Sequence, residues 1–438
     1  MAGPSRIRTG FHGDHACASS HRFHRTRVFV GTQLPWPIVT ITVVGIGADG
    51  WDGMSPEGRA ELETCDVLVG GQRQLDLVPE GTYEKRPWPS PLLPALDELL
   101  AELRGRRVGV LASGDPLLSG IGGTLVRRLG ADAVHIVPAV SSVTLARARL
   151  GWTAEETEVV SAVGRDVRAV LRVLAPRRRV LVLSTGAETP RELARLLSDH
   201  GFGDSAMTVL ENLGGAGERR IDAAARDWDE AAPPAIAPLN VVAIECVGTA
   251  YSLVAGLPDE AFEHDGQLTK RDLRASALAR LAPTPGEVLW DVGAGAGSVA
   301  VEWCRVHAAN RAIAVESRQD RGERIARNAG NLGVPHVRVV TGRAPEALAD
   351  LDRPDAVFVG GGVAGEGVLT TCWHALRPGG RLVAHGVTLE AERVLAEQYA
   401  SLGGELTRIS VERAAPLGGL TGWTPARAVT QWSVNKQP

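Results

Sequence analysis

The sequence predicts an α/β protein of two domains, on three observations. Its 438 residues exceed what one hydrophobic core usually organises, so two domains of about 200 residues each are expected. Short apolar runs alternate with helical segments, the rhythm that builds α/β sheets. In both halves an apolar run leads into a glycine-rich turn and then a helix, at ITVVGIG (41–47) and at VLWDVGAGAG (288–297).

Taken in order, residues 1–38 mix Arg, His, Ser, Gly and Pro without periodicity. They lack the apolar stretch of about 7 to 15 residues found in a signal peptide, and are expected to be a disordered leader or an overlong start. From Val39 the pattern reads strand, glycine loop and helix, the helix opening near Ser55 and Pro56 with serine as cap and proline in the first turn. Further strands are expected at CDVLVG, RRVGVLAS, AVHIVPA, RVLVLST, AMTVLE and NVVAIE, with helices such as PALDELLAELRG and GGTLVRRLG between them. The Pro/Ala-rich DEAAPPAIAP (229–238) reads as an insertion loop, because another strand follows it. Periodicity lapses between Val247 and Gln267, which places one domain at 39–250, a linker at 251–266 and a second domain at 267–438. The second series runs from a helix beginning at Thr269 through strands EVLWDVG, RAIAVE, HVRVV, DAVFVGG and GRLVAHG. There is no internal repeat, so the halves are expected to be different α/β folds.

Composition narrows the function. With 44% hydrophobic and 22% charged residues, and no apolar run near the roughly 20 residues a span needs, a membrane protein is excluded. A net charge of −4 and an aromatic content of 4% disfavour a nucleic-acid partner. The five cysteines are scattered without a CxxC pair, so neither a disulfide framework nor a metal site is indicated and a reducing cytoplasm fits. Of the 47 basic residues only Lys85, Lys270 and Lys436 are lysine, which makes a lysine inside a motif informative.

In the C-terminal half Gly293, Gly295 and Gly297 directly follow a strand and open a helix. Backbone there can approach a ligand closely. Glu316 closes the next strand, 23 residues beyond Gly293, where a carboxylate can accept from both hydroxyls of a ribose. The G-x-G-x-G spacing, with Asp291 ahead and Ser298 where a dinucleotide motif carries its last glycine, resembles motif I of class I S-adenosylmethionine methyltransferases more than an NAD site. Thr269 to Asp272 fit a T-x-x-D capping box, so Thr269 reads as a helix cap that could also serve a ligand. In the N-terminal half Gly45, Gly47 and Gly50 only superficially resemble a dinucleotide loop. Ser113, Gly114, Asp115 and Pro116 follow a strand and read either as a ligand loop or as an Asx-turn. Ser141 and Ser142 offer hydroxyls or a helix cap, and Ser184 and Thr185 end another strand.

These segments together resemble one family. ITVVGIGADG, DVLVGGQRQL, WPSPLLPAL, LASGDPLLSGIGGTL, PAVSSVTLARARLGW and NVVAIE are similar to the tetrapyrrole methylases that methylate C5 in cobalamin biosynthesis. GLPDEAFEHDGQLTKRDLRA, VLWDVGAGAGSVAVEW, GRAPEAL, FVGGG, LRPGGRLVA and PLGGLTGW are similar to their C15-methylating, decarboxylating partners. From about Val39 to about Arg427 the chain resembles the fused C5,15-methyltransferases that act on precorrin-6Y and yield precorrin-8X. The resemblance implies a tetrapyrrole methylase fold of two α/β subdomains, followed by a Rossmann-like class I methyltransferase domain.

It further implies two S-adenosylmethionine sites. One draws on Ala48, Ser113, Gly114, Asp115, Leu118, Ser141, Ser142 and Ser184. The other draws on Thr269, Gly293, Ala294, Gly295, Ala296, Gly297, Glu316 and Ala344. It implies two methyl transfers to meso carbons of a reduced tetrapyrrole, loss of carbon dioxide from one acetate arm, and a homo-oligomer. The chain departs from the family at Arg343, where aspartate is common, and at His385, where asparagine is common, which sets a catalytic role for His385 in question. Lys270 is the expected catalytic group near the substrate, pairing a carboxylate or protonating the macrocycle, with a surface charge at a helix start as the alternative. Arginines are expected to bind the substrate carboxylates, and no metal is required. Competing readings are a methyltransferase of another tetrapyrrole or of RNA, an NAD(P)-dependent oxidoreductase, and a non-catalytic tetrapyrrole carrier.

Overall fold

A computed structural model describes residues 41–228 and 235–438. The expected leader, and residues 229–234 of the expected insertion loop, lie outside the described residues. Three sheets follow one another along the chain. The first contains β1 (Ile41–Ile46), β2 (Val67–Gly70), β3 (Glu84–Pro87), β4 (Val108–Ser113) and β5 (Val134–Val137), in the order β3-β2-β4-β1-β5. All its pairings are parallel. Every residue of β1 is buried, as expected of a central parallel strand covered on both faces, whose sequence is then continuously apolar.

The second sheet contains β6 (Thr157–Ser161), β7 (Arg179–Leu183), β8 (Ala206–Glu211), β9 (Arg219–Ala224) and β10 (Asn240–Glu245), ordered β6-β7-β10-β8-β9. Only β6 and β7 pair in parallel; the others are antiparallel. The N-terminal half is thus two α/β subdomains.

The third sheet holds β11 (Val288–Val292), β12 (Arg311–Glu316), β13 (Arg338–Thr341), β14 (Ala356–Val359), β15 (Arg381–Gly386) and β16 (Glu405–Ile409). After a separate hairpin of β17 (Glu412–Leu417) and β18 (Leu420–Pro425), β19 (Val429–Asn435) returns between β15 and β16, giving the order β13-β12-β11-β14-β15-β19-β16. The order reverses at β11, with β12 on one side and β14 on the other, which opens a crevice at the carboxyl ends of these strands.

The segment expected as a linker is packed. Leu257 and Phe262 lie in the core of the third sheet. The backbone N–H groups of Gly256 and Leu257 donate to Glu302 at 2.6 and 3.0 Å. Arg274, fully buried, joins Glu302, Leu257 O and Thr269 O. Periodicity lapses here because side chains, rather than a helix or strand ladder, satisfy the backbone. Arg305 likewise holds Tyr251 O and Ser252 O at 3.2 and 3.3 Å. No described helix is long and apolar enough to cross a membrane.

Candidate functional sites

The C-terminal crevice encloses about 750 Å³, within the range of small-molecule sites. Its floor is the β11 turn. Gly293 and Ala294 donate to Val315 O at 2.9 and 3.1 Å, and a Cβ on Gly293 would stand 2.7 Å from Gly361 O, with φ at +67°. Only glycine permits this approach. Gly295 N donates to Glu316 Oε2 at 3.0 Å, and Arg318 N donates to Oε1 at 3.2 Å. Glu316 is therefore clamped with lone pairs to spare in the crevice wall, the acceptor set a ribose diol requires. The residues fit S-adenosylmethionine.

Thr269, Gly293, Ala294, Gly295, Glu316, Ala344 and Lys270 all line this crevice. Ala296 and Gly297 turn away from it. Gly297 faces Ile325, which a Cβ would meet at 2.6 Å, and Ala296 O accepts from Asn328, so these two serve helix packing. The capping box does not form. Lys270 occupies the N-cap position of the helix Arg271–Leu281 without a side-chain cap bond, and Asp272 pairs instead with Arg413. The cap comes from Asp259, distant in sequence, whose Oδ1 accepts the Arg271 N–H at 3.0 Å. Lys270 Nζ lies 3.7 Å from Asp259, its side chain 42% exposed.

Asp291 sits beneath the loop, fully buried. Its Oδ2 accepts from Ala300 N at 3.0 Å, while Oδ1 has no partner. Burial, reinforced by the Glu316 charge, pushes its carboxyl up to about 7. His385, at the end of β15, also lines the crevice. Burial first, and then the Arg280 charge, push its imidazole down to about 4.

The N-terminal crevice lies between the first two sheets and encloses about 70 Å³, too little for adenosine as it stands. Three loops meet there: a Cβ on Gly45 would strike Gly114 O at 2.0 Å and Ala139 N at 2.6 Å. Gly50 opens only a four-residue turn, so this glycine loop does not aim a full helix at a phosphate. Ala48, Ser113, Gly114 and Ser142 line the crevice, whereas Asp115, Leu118, Ser141 and Ser184 are not on its wall. Asp115 makes the Asx-turn, accepting from Leu117 N at 2.8 Å. Ser141 caps the helix Ser142–Leu150 through Thr144 N at 3.1 Å. Leu118 is exposed, and the Ser184 hydroxyl is buried without a partner.

Sequence reasoning missed three residues here. Arg73 and Gln74 reach across the crevice to Ser113 Oγ at 3.0 and 2.9 Å, and Arg73 forms part of its wall. Asn240 is 6% exposed and faces the crevice. Its Nδ2 donates to Gly186 O and Ala237 O, while its Oδ1 is buried and unpartnered. That orphan acceptor suits an adenine amino group. The only sequence signal was a polar residue heading the apolar run NVVAIE. No group of three or more metal-ligating side chains occurs among the described residues.

Comparison with known proteins matches residues 40–228 to the Tetrapyrrole (Corrin/Porphyrin) Methylases and residues 260–436 to the Precorrin methyltransferase domain. A precorrin-6Y C(5,15)-methyltransferase (decarboxylating) of Mycobacterium tuberculosis strain CDC 1551 / Oshkosh is 48% identical over 398 residues, spanning 91% of this chain and 100% of the relative. Two relatives match about half as much. A cobalt-precorrin-7 C(5)-methyltransferase of Salmonella typhimurium is 35% identical over 179 residues, 41% of this chain and 88% of its own. A probable cobalt-precorrin-6B C(15)-methyltransferase (decarboxylating) of Pyrobaculum calidifontis is 37% identical over 180 residues, 40% of this chain and 92% of its own. With this identity across nine-tenths of its length, the chain belongs to the precorrin-6Y C5,15-methyltransferase (decarboxylating) family.

Proposed function

We propose that each crevice binds one S-adenosylmethionine, that the N-terminal one serves C5 methylation of precorrin-6Y, and that the C-terminal one serves C15 methylation and decarboxylation. The observation that carries this reading is the C-terminal crevice, where the glycine turn and the clamped Glu316 meet a cavity of about 750 Å³. The narrower N-terminal crevice opens when the Arg73 and Gln74 side chains leave Ser113, since both bonds lie at the exposed rim.

S-adenosylmethionine, when bound, supplies an electrophilic methyl group. A meso carbon of a reduced tetrapyrrole is enamine-like and already nucleophilic, so the protein's task is alignment and exclusion of water, which can lower a two-reactant barrier by about 7 to 11 kcal/mol. Carbon dioxide loss needs an electron sink, and the conjugated pyrrole-imine system of the substrate is one. Lys270, Arg343, Arg413 and Arg427 stand on the crevice wall and bind the substrate's non-reacting carboxylates. Lys270 is thereby a substrate-binding group shared with Asp259. The dinucleotide alternative is disfavoured because Asp291 already takes a first-turn N–H of the helix Ser298–Val306, a donor a pyrophosphate would use. A homo-oligomer in a reducing cytoplasm belongs to the same reading. It is supported by Leu417, Leu420 and Trp423, exposed on the β17–β18 hairpin, and by the free, buried Cys65, Cys246, Cys304 and Cys372.

The test is full-length protein given precorrin-6Y and methyl-labelled S-adenosylmethionine. Two labels and one carbon dioxide per turnover are expected. Asn240→Leu selectively slows labelling at C5, and Glu316→Gln selectively slows labelling at C15 together with carbon dioxide release. If both variants slowed both labels equally, the division of labour would be wrong.

A further inference from the structure

The C-terminal crevice contains a histidine that the reading above leaves unused. His385 is 8% exposed at the end of β15, its ring edge-on to Phe358 with centroids 5.0 Å apart. Its Nε2 faces the carboxamide of Gln431 at 2.9 Å, and the other end of that carboxamide faces Arg280 Nε and Nη1 at 3.0 and 3.2 Å. A guanidinium has donors only. The Gln431 oxygen must therefore face Arg280, which turns the Gln431 NH₂ toward His385. An N–H pointing at Nε2 makes that nitrogen an acceptor, so the ring proton sits on Nδ1. Gln431 is 1% exposed and cannot turn to water for another partner. Arg280 is itself held by Ser276 Oγ at 3.0 Å and by Glu405 at 3.4 Å. Nδ1 has no protein partner and is not among the sealed, unpartnered atoms of the described residues.

We infer that His385 offers Nδ1–H as an uncharged hydrogen-bond donor to the carboxylate that leaves as carbon dioxide, with Gln431 and Arg280 as positioning residues that set its tautomer. The inference rests on the decarboxylating role proposed for this crevice. Its physical logic is differential stabilisation. As carbon dioxide departs, negative charge moves from the carboxylate into the macrocycle. A cation held on that carboxylate would stabilise the starting state more than the transition state and slow the step. A neutral donor orients the group while leaving its charge free to move. Of the cations on the crevice wall, Arg321 is paired with Asp265, and Lys270, Arg343, Arg413 and Arg427 then suit the carboxylates that stay. Nothing in this role asks His385 to gain or lose a proton, and burial beside Arg280 opposes its protonation.

The experiment uses the full chain. Nitrogen-15 NMR of histidine-labelled protein is expected to show His385 protonated at Nδ1 and bare at Nε2 across neutral pH, with that signature lost in Gln431→Leu. His385→Phe is expected to lower the turnover rate for carbon dioxide release about 10- to 100-fold, the cost of a misoriented reacting group, with calorimetric S-adenosylmethionine affinity unchanged. His385→Asn, which restores a neutral N–H donor, is expected to recover most of that rate. A proton on Nε2, an imidazolium at neutral pH, an undiminished rate in His385→Phe, or no recovery in His385→Asn would each overturn the inference. If the unaltered enzyme released no carbon dioxide at all, the role proposed for the crevice would fall first, and this inference with it; the NMR would still report the tautomer.

Discussion

Glu316 illustrates what one side chain does in this site. Both carboxylate oxygens are committed to backbone N–H groups, of Gly295 and Arg318, so its orientation is set before a ligand arrives. Glu316→Gln must point an N–H at one of those donors. A loss of about 10-fold or more in S-adenosylmethionine affinity at the C-terminal site is expected, measured by calorimetry. Asn240→Leu removes the orphan acceptor of the other crevice and is expected to weaken only that site, by about 3- to 10-fold. The glycines and Glu316 were legible in the sequence because a strand, a turn and the next strand end obey short-range geometry. Asn240 and the Arg280–Gln431–His385 chain were not, because their partners are contributed by residues far away along the chain.

At the level of elements, strands that form apolar runs were readable, the edge strands β5 and β13 among them, whereas the charged margins and the returning strand β19 inside the third sheet were not. β1, β11 and β14 are buried along their whole length and read as apolar runs, whereas β3, β9 and β16 carry exposed, charged residues at the sheet margins. Such strands are recognisable only from their neighbours. The helix Arg271–Leu281 teaches the same lesson, since its predicted internal cap was replaced by Asp259 from the preceding segment. The helix Gln72–Asp76 carries the two side chains that hydrogen-bond Ser113 beside the N-terminal crevice. Arg73→Ala is expected to speed S-adenosylmethionine association at that site several-fold, read by stopped-flow binding. An unchanged rate would mean that the crevice opens some other way.

For the whole molecule, two buried groups give stability contributions of opposite sign with pH. Asp291 titrates near 7 when folded, above its ordinary 3.8, so the folded state holds an extra proton between these values. Its contribution is greatest at low pH and is lost as pH rises through about 7. His385 titrates near 4, below its ordinary 6.5, so its contribution is present above 6.5 and lost as pH falls through about 4. Between about 4 and 6.5 the two offset each other. Asp291→Asn is expected to gain stability relative to the parent chain as pH rises from about 5 to about 8, measured by urea unfolding. His385→Asn is expected to gain relative to the parent as pH falls toward about 4. The packed joint adds a further test: a fragment beginning at residue 251 keeps Leu257 and its bonds to Glu302 and Arg274, whereas one beginning at 260 leaves these buried ions short of partners. The shorter piece is expected to unfold at a measurably lower urea concentration.

The sequence by itself determined the α/β class, the strands that form apolar runs, the glycine turns and Glu316, and its resemblances indicated the family. Each depends on backbone geometry or apolar patterning within a few dozen residues, which neighbouring residues alone dictate. Tertiary structure decided the cap from Asp259, the packing of 251–266, the cations that reach the C-terminal crevice, the reach of Arg73 to Ser113, and the contact of Gln431 with His385 and Arg280. Those depend on which distant side chains share a space from which water is excluded, where an unmatched donor or charge is costly and a single arrangement prevails.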